Sequence, residues 1–390
     1  MGSSQRRRIL ITFGRSFLTL ELARMMSAAG HHVTIVDSIP IGVTRLSHAH
    51  DKFYKVPPPK FEPRAYCHAL SRIVAKDKID MVIPIHEETD ILSMMVDIFP
   101  PSCELFLSDF ELENQLHNKY EFSELLVSLG RPHLKFAQLR TRDDVAHLDF
   151  EKPFALKQCY SRGSQKVHKA HPGDPLDWLD FDPTNPWLAQ EWASGEKFCT
   201  YSIAREGKVY AHATYPVDYA IDGNSCLNFR SLDRPDILDR VSSFVREVNF
   251  TGQIGVDFIE DPDRGLVSIE CNPRATSGIM MFDSDDGIDR AFFGENTELI
   301  TPQPDTNRMI GLGMLLYGWR KPSRRDRSMR QFFRDFRSAD DVITCPGDQR
   351  PAIGLPIAYL GVLRSCLKYH VGLAEGFMHD HEWDGLRISE

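Results

Sequence analysis

Apolar runs and amphipathic stretches alternate over the first hundred residues. "RRILITF" (7–13) predicts a buried strand and "VTIVDS" (33–38) a second. Between them, "GRSFLTLELARMMSAAGHH" sets Phe17, Leu18, Leu22, Met25 and Met26 on one side of a helix, with Gly30 at its end. "AYCHALSRIVAKDKID" (65–80) is again helical, and "MVIPIHEE" (81–88) is a strand followed by a turn. Strand, helix, strand, helix, strand predicts an α/β domain with a parallel sheet and helices on both faces. A dinucleotide site does not follow. The first turn holds only Gly14, where close approach to a pyrophosphate asks for three glycines, so Asp37 reads as an ordinary strand-end residue.

From Pro153 the pattern changes to α+β. "PFALKQCY" (153–160) reads as a strand, and "SRGSQKVHKA" as a small-residue tip with a return strand. Residues 186–217 read as several antiparallel strands, and "DILDRVSSFVREVNF" (236–250) as an amphipathic helix. "TGQIGVDFIEDPDRGLVSIECNPR" (251–274) is a hairpin turning at "DPDRG". Past Thr301 the chain is mainly helical. Met329, Phe332, Phe333 and Phe336 fall on one helical stripe.

The 390 residues suffice for two to three domains. A net charge of −9 offers nucleic acid no general attraction, so no nucleic-acid partner is expected. The eight cysteines are scattered without a CxxC pair, which predicts reduced thiols in a cytoplasmic protein. The opening residues lack the apolar run of a signal peptide, and position 6 is Arg6, outside the myristoylation pattern.

The chemistry concentrates in "SIECNPRATSG" (268–278). Alternation puts Glu270 and Asn272 on one face of a strand, with Cys271 opposite. Asp257, in the preceding strand "GVDFIE", can share that face. Two carboxylates and an amide oxygen make a hard-oxygen site suited to Mg²⁺, and Arg274 adds a permanent cation. The ordinary alternative is a set of polar edge residues. Lys157 sits inside an apolar strand and needs an anion or a route out of the core. Ser161, Gly163 and Ser164 in "SRGS" are small enough for backbone N–H groups to approach a phosphate, although a solvated turn is the plainer reading. In "LAQEWASGEKF" the strand end at Glu191, Trp192 and Ala193 could read an adenine edge, with Glu196 near a ribose; a plain strand-to-loop connection reads equally well.

Together these stretches resemble the ATP-grasp superfamily, which includes biotin carboxylase, carbamoyl-phosphate synthetase and D-alanine–D-alanine ligase. The resemblance spans residues 8 to 300. It rests on "SIECNPRATSG" and "GQIGVDF", with support from "HNKYEF", "ALKQCYSRGS" and "AQEWASGE". It is similar to a carbamoyl-phosphate-synthetase-like group of stand-alone carboxylate–amine ligases. It implies a pre-ATP-grasp Rossmann-like domain at 1–115, a small ATP-grasp subdomain at 116–190, and a large subdomain with the metal hairpin at 191–300. A mainly helical extension follows at 301–390.

The resemblance also assigns roles. It implies that Lys119, Lys157, Ser161, Gly163, Ser164, Glu191, Trp192, Ala193 and Glu196 bind ATP. It implies that Asp257, Glu270 and Asn272 hold Mg²⁺, or Mn²⁺ in its place. Arg274, Arg230 and Lys157 would be catalytic. Glu87 and Glu88, in "IPIHEETD", would meet a substrate ammonium unless they form only a solvated loop. Two departures from the family pattern stand out: Gln158 where a proline often follows the strand lysine, and Lys197 where an acid often meets the ribose.

The implied reaction activates a carboxylate as an acyl-phosphate, releases ADP and couples the acyl group to an amine. A nucleotide-binding regulator or scaffold with the same fold, and a kinase, are the rivals. The basic run from Arg320 to Arg337 reads first as a helix packed on the core with a solvated face. Peripheral contact with anionic lipid, using also the apolar segment 351–363, and a homodimer interface stay open.

Overall fold

The computed structural model describes residues 6–161, 167–221, 225–324 and 326–388. Five strands form the first sheet: β1 (Arg8–Ile11), β2 (His32–Asp37), β3 (Lys52–Lys55), β4 (Met81–Ile83) and β5 (Glu104–Leu105). They run parallel in the order β3-β2-β1-β4-β5. Strand alternation feeds two cores. Ile9 and Ile11 pack with Leu20 and Ala23 of helix Phe17–Ala28. Leu10 turns the other way, toward Tyr66, Leu70 and Val74 of helix Pro63–Asp77.

Open parallel sheets of this order leave a crevice where the strand order reverses, here between β1 and β4. The chain fills that crevice with its own C-terminal segment. The His381 ring lies 4.4 Å from Phe13. Arg15 pairs with Asp37 at 2.5 Å and with Asp380 at 2.9 Å, all three buried. Asp37 is therefore occupied by Arg15, in keeping with the single-glycine turn. That Gly14 is required sterically, because an added Cβ would lie 2.6 Å from the Ile35 Cγ2.

The second sheet is antiparallel, with β6 (Phe136–Leu139), β7 (Phe154–Gln158), β8 (His168–Ala170) and β9 (Trp187–Glu191) ordered β6-β9-β7-β8. The third is also antiparallel. It joins β10 (Glu196–Arg205) and β11 (Lys208–Pro216) to the hairpin Gly252–Asp261 and Gly265–Asn272. Helix Pro235–Glu247 buries Ile237, Val241, Phe244 and Val245 against Ile254, Val256 and Phe258 of that hairpin.

The chain beyond Thr301 is mostly helical but tied to both earlier parts. Asn307–Met309 pairs with Asn228–Arg230, and the last residues return to the first sheet. The expected four-residue stripe divides. Phe332 is buried beside Tyr219, while Met329 and Phe333 face outward. Phe333 lies about 100° round the helix from Phe332, outside the arc that Tyr219 and Met314 can cover. All eight cysteines are unpaired. Among the described residues no helix is long and apolar enough to cross a membrane.

Candidate active site

The hairpin sets the centre of the site. Asp257 stands directly opposite Glu270, and Gly255 opposite Asn272. A bulge follows Asp257, the kind of irregularity that re-aims strand side chains. Cys271 turns into the core with Phe258 and Leu266. On the other flank of Asp257, Cys199 of β10 is its register partner, a neighbour that spacing alone did not suggest.

Two ammonium groups reach this hairpin from different elements. Asn118 caps helix Lys119–Ser128, accepting from the N–H groups of Tyr120 and Glu121. This fixes Lys119 in the first turn. Its Nζ donates to the Ser161 carbonyl at 2.5 Å and lies 3.5 Å from the Glu270 carboxylate. Lys157 comes from β7 and donates to the Ile269 carbonyl at 3.1 Å. Burial pushes the Lys157 ammonium down to about 8, with Glu270 opposing and Lys119 adding to the shift. Burial and the facing Glu270 push the Asp257 carboxyl up to about 6.

Two crowded carboxylates beside the Asn272 oxygen fit a hard divalent cation, with phosphate and water completing its shell. Among the described residues no group of three or more His, Cys, Asp or Glu gathers for a metal. Arg274 closes one end. Its Nη2 donates to the Asn272 Oδ1 at 2.9 Å, and its Nε, 3.7 Å from Glu87, is buried without a hydrogen-bond partner.

The nucleotide-side residues spread along one edge. Ala193 joins Leu134, Ile259, Val267 and Ile269 in an apolar cluster next to Lys157. The N–H groups of Glu191 and Trp192 are engaged by the carbonyls of Lys135 and Pro153, at 2.8 and 2.9 Å. The Glu191 carboxylate pairs with Arg264. Glu196 is exposed at the start of β10, opposite Glu260. Before it, Gly195 passes so close to that strand that an added Cβ would meet the Glu260 carbonyl oxygen at 2.0 Å. Ser161 is described; Gly163 and Ser164 lie outside the described residues.

Three residues singled out in the sequence stand apart from this group or are walled in. Arg230 sits in another sheet, 3.4 Å from Asp218, and no hydrogen bond or ion pair joins it to the hairpin among the described residues. Glu88 has no exposed surface. It accepts from Thr12, from the N–H groups of Ile85 and His86 at 3.1 Å, and pairs with His381 at 3.2 Å. It anchors the loop and offers no open face to a substrate ammonium. Glu87 is also buried, but lies between the Trp383 N–H at 2.9 Å, His117 at 3.6 Å and Arg274.

His117 was not singled out in the sequence, although it opens the quoted "HNKYEF". It contacts Asp90 at 3.0 Å as well as Glu87. Burial opposes its charge, yet the two carboxylates overcome this and raise the imidazole to about 9. Its stabilising contribution is thus fully present below the unfolded value of about 6.5 and lost as pH rises through about 9. Urea unfolding of wild type and His117→Gln is expected to show a stability gap of about 2–3 kcal/mol near pH 6 that shrinks toward pH 10. A gap independent of pH would remove the charge from the account.

Neither a protein-family model nor a curated protein sequence matches this chain. Solved structures do. The chain is similar to N5-carboxyaminoimidazole synthetase from Staphylococcus aureus in complex with ADP, with a TM-score of 0.65 and 14% identity over 87% of this chain and 98% of that one. It is similar to the biotin carboxylase domain of Hydrogenobacter thermophilus 2-oxoglutarate carboxylase, with a TM-score of 0.59 and 12% identity over 78% and 74%. This chain has the ATP-grasp fold. A third structure of the kind is L-amino acid ligase from Bacillus licheniformis, at a TM-score of 0.55 and 14% identity over 75% and 77%. The parallel sheet, the two antiparallel sheets and the mostly helical end agree with the fold class read from the sequence.

Proposed function

We propose that this protein is an ADP-forming carboxylate–amine ligase. The observation that carries the reading is the convergence of Lys119 and Lys157 on the hairpin where Asp257 faces Glu270. Such a site holds a polyanion and its divalent counter-ion together. The related folds support it, since those structures are described with ADP or with MgADP and bicarbonate.

In this reading a carboxylate oxygen attacks the γ-phosphorus of ATP, and ADP leaves with the bridging oxygen. An amine then attacks the acyl carbon, and inorganic phosphate leaves. The physical obstacle is repulsion between carboxylate and triphosphate, which fixed cations relieve. Lys119 and Lys157 hold the phosphates. Asp257, Glu270 and Asn272 would hold Mg²⁺, or Mn²⁺, which supplies charge neutralisation at the phosphates. Arg274, tethered by Asn272 and with an unpartnered Nε, steadies the acyl-phosphate. The apolar cluster at Ala193 takes the adenine face. Glu87, buried beside Arg274, helps to position that guanidinium. Ser161 borders the phosphates, and Arg230 is assigned no step.

The test is a screen for ADP release over amino acids, small carboxylates and bicarbonate with candidate amines, with product mass as second readout. ADP release with formation of an amide supports a ligase. A stable phosphorylated product without amide would make the protein a kinase, and nucleotide binding without turnover a regulator. For the nucleotide half alone, Lys157→Ala is expected to weaken MgATP binding at least about tenfold, from the loss of a charged hydrogen-bond partner. Calorimetry giving an unchanged affinity would take Lys157 out of the site.

A further inference from the structure

The C-terminal helices expose apolar side chains. In helix Leu355–Tyr369, Ala358, Val362 and Ser365 face inward. Ile357, Leu360, Leu363 and Leu367 stand 53, 55, 45 and 77% exposed. Their spacing of three and four residues makes one continuous outward stripe. Ile353 extends it through the preceding turn, and Arg364 and Lys368 flank it. Leu315, Leu316 and Trp319 form a second exposed apolar patch.

Beside the second patch lies a basic surface, for Met314 and Tyr317 share an apolar cluster with Phe332 of helix Met329–Ser338. On helix Met329–Ser338, Arg330, Phe333, Arg334 and Arg337 recur at helical spacing, all exposed, and line an open groove. Residues 319–338 carry eight basic residues against two acids, Asp326 and Asp335. Asp335 is already held by Tyr219, Arg327 and Gln331. The positive charge of this face is thus largely uncompensated, in a chain whose net charge is −9.

We infer that this C-terminal face docks on an anionic lipid surface, with the leucine stripe entering the boundary between headgroups and acyl chains and the arginines meeting lipid phosphates. A lipid surface supplies both media at once, apolar chains beneath and negative charge above. Trp319 has the amphipathic ring that favours that boundary. A second copy of the chain fits less well. A two-fold contact matches a face with itself, which sets arginine against arginine where the nearby acid is already engaged.

The experiment is vesicle flotation of the full chain. Phosphatidylcholine vesicles are compared with vesicles in which about a third of the lipid is phosphatidylglycerol. Binding to the anionic vesicles is expected to be at least about tenfold tighter at low salt and to weaken as salt rises. Arg330→Glu/Arg334→Glu/Arg337→Glu is expected to remove that preference, and Leu360→Asp/Leu367→Asp to remove binding altogether, with circular dichroism unchanged. Equal binding to both vesicle types, or none, overturns the inference without requiring any variant to fold. A wild-type dimer that ignores vesicles and is dissociated by Leu360→Asp/Leu367→Asp would reassign the face to contact between copies.

Discussion

Asp257→Asn and Glu270→Gln are each expected to lower ADP release at least about 100-fold, the scale of removing one fixed electrostatic contact from a transition state. Both substitutions keep the shape of the side chain and delete only charge. For Asp257→Asn, stability should move the other way or not at all. Asp257 and Glu270 face each other across the hairpin, and burial with that neighbour pushes Asp257 up to about 6. In the absence of a cation, Asp257→Asn removes a repulsion, whereas Glu270→Gln also gives up the Lys119 contact at 3.5 Å. Thermal unfolding of metal-free Asp257→Asn should therefore occur at or above the wild-type temperature while turnover collapses. This opposite movement separates a charge that serves the reaction from one that serves the fold. Near wild-type ADP release by both variants would sink the metal assignment, and a large loss of stability in both would show the pair to be a structural element.

How far the sequence carried this reading depended on the range of the contacts involved. The hairpin was legible in part because strand alternation is local: the order Glu270, Cys271, Asn272 fixes which side chains share a face. The register set by the "DPDRG" turn alone would put Asp257 opposite Ile269; the bulge beside Asp257 shifts it opposite Glu270, and no local pattern announces that shift. The first sheet was legible for the same reason, since Ile9, Leu10 and Ile11 already declare two buried faces. What stayed hidden involves partners remote in sequence. Trp383 donates to Glu87 across 296 positions, and His381 reaches Glu88 across 293. No periodicity records such pairings, so two acids that looked like an exposed loop are walled in by the far end of the chain. The helix at Met329–Ser338 failed differently. Its composition announced an apolar stripe, but only packing decides how wide an arc of that stripe is covered, and here Phe332 is buried while Phe333, edge-on to it, stays exposed.

The crevice filled by the tail carries the second large expectation, Arg15→Ala. The Arg15 guanidinium binds Asp37 through Nη2 at 2.5 Å and Nε at 3.1 Å, and Asp380 through Nη1 at 2.9 Å, while its backbone N–H donates to Asp37 at 2.6 Å. Removing the guanidinium leaves two buried carboxylates facing each other without a cation: Asp37 keeps only the backbone N–H groups of residue 15 and Ile39, and Asp380 the Ser38 hydroxyl. Breaking a buried ion pair from one side costs about 3–5 kcal/mol, because the stranded charge has lost its solvent and its partner. Urea unfolding should register that loss. Hydrogen exchange should rise across residues 379–388, which the Asp380 contact holds to the first sheet. Arg15→Met with Asp37→Asn and Asp380→Asn is expected to recover much of the stability, since no uncompensated charge then remains in the crevice. The comparison is informative because the triple variant deletes more contacts than the single one. If Arg15→Ala were within about 1 kcal/mol of wild type, the carboxylates would have to be solvated, and the tail could not be the plug of the crevice. If the triple variant were weaker than Arg15→Ala, the ion triad would contribute net stability by its attraction, and burial of charge would not be the dominant cost.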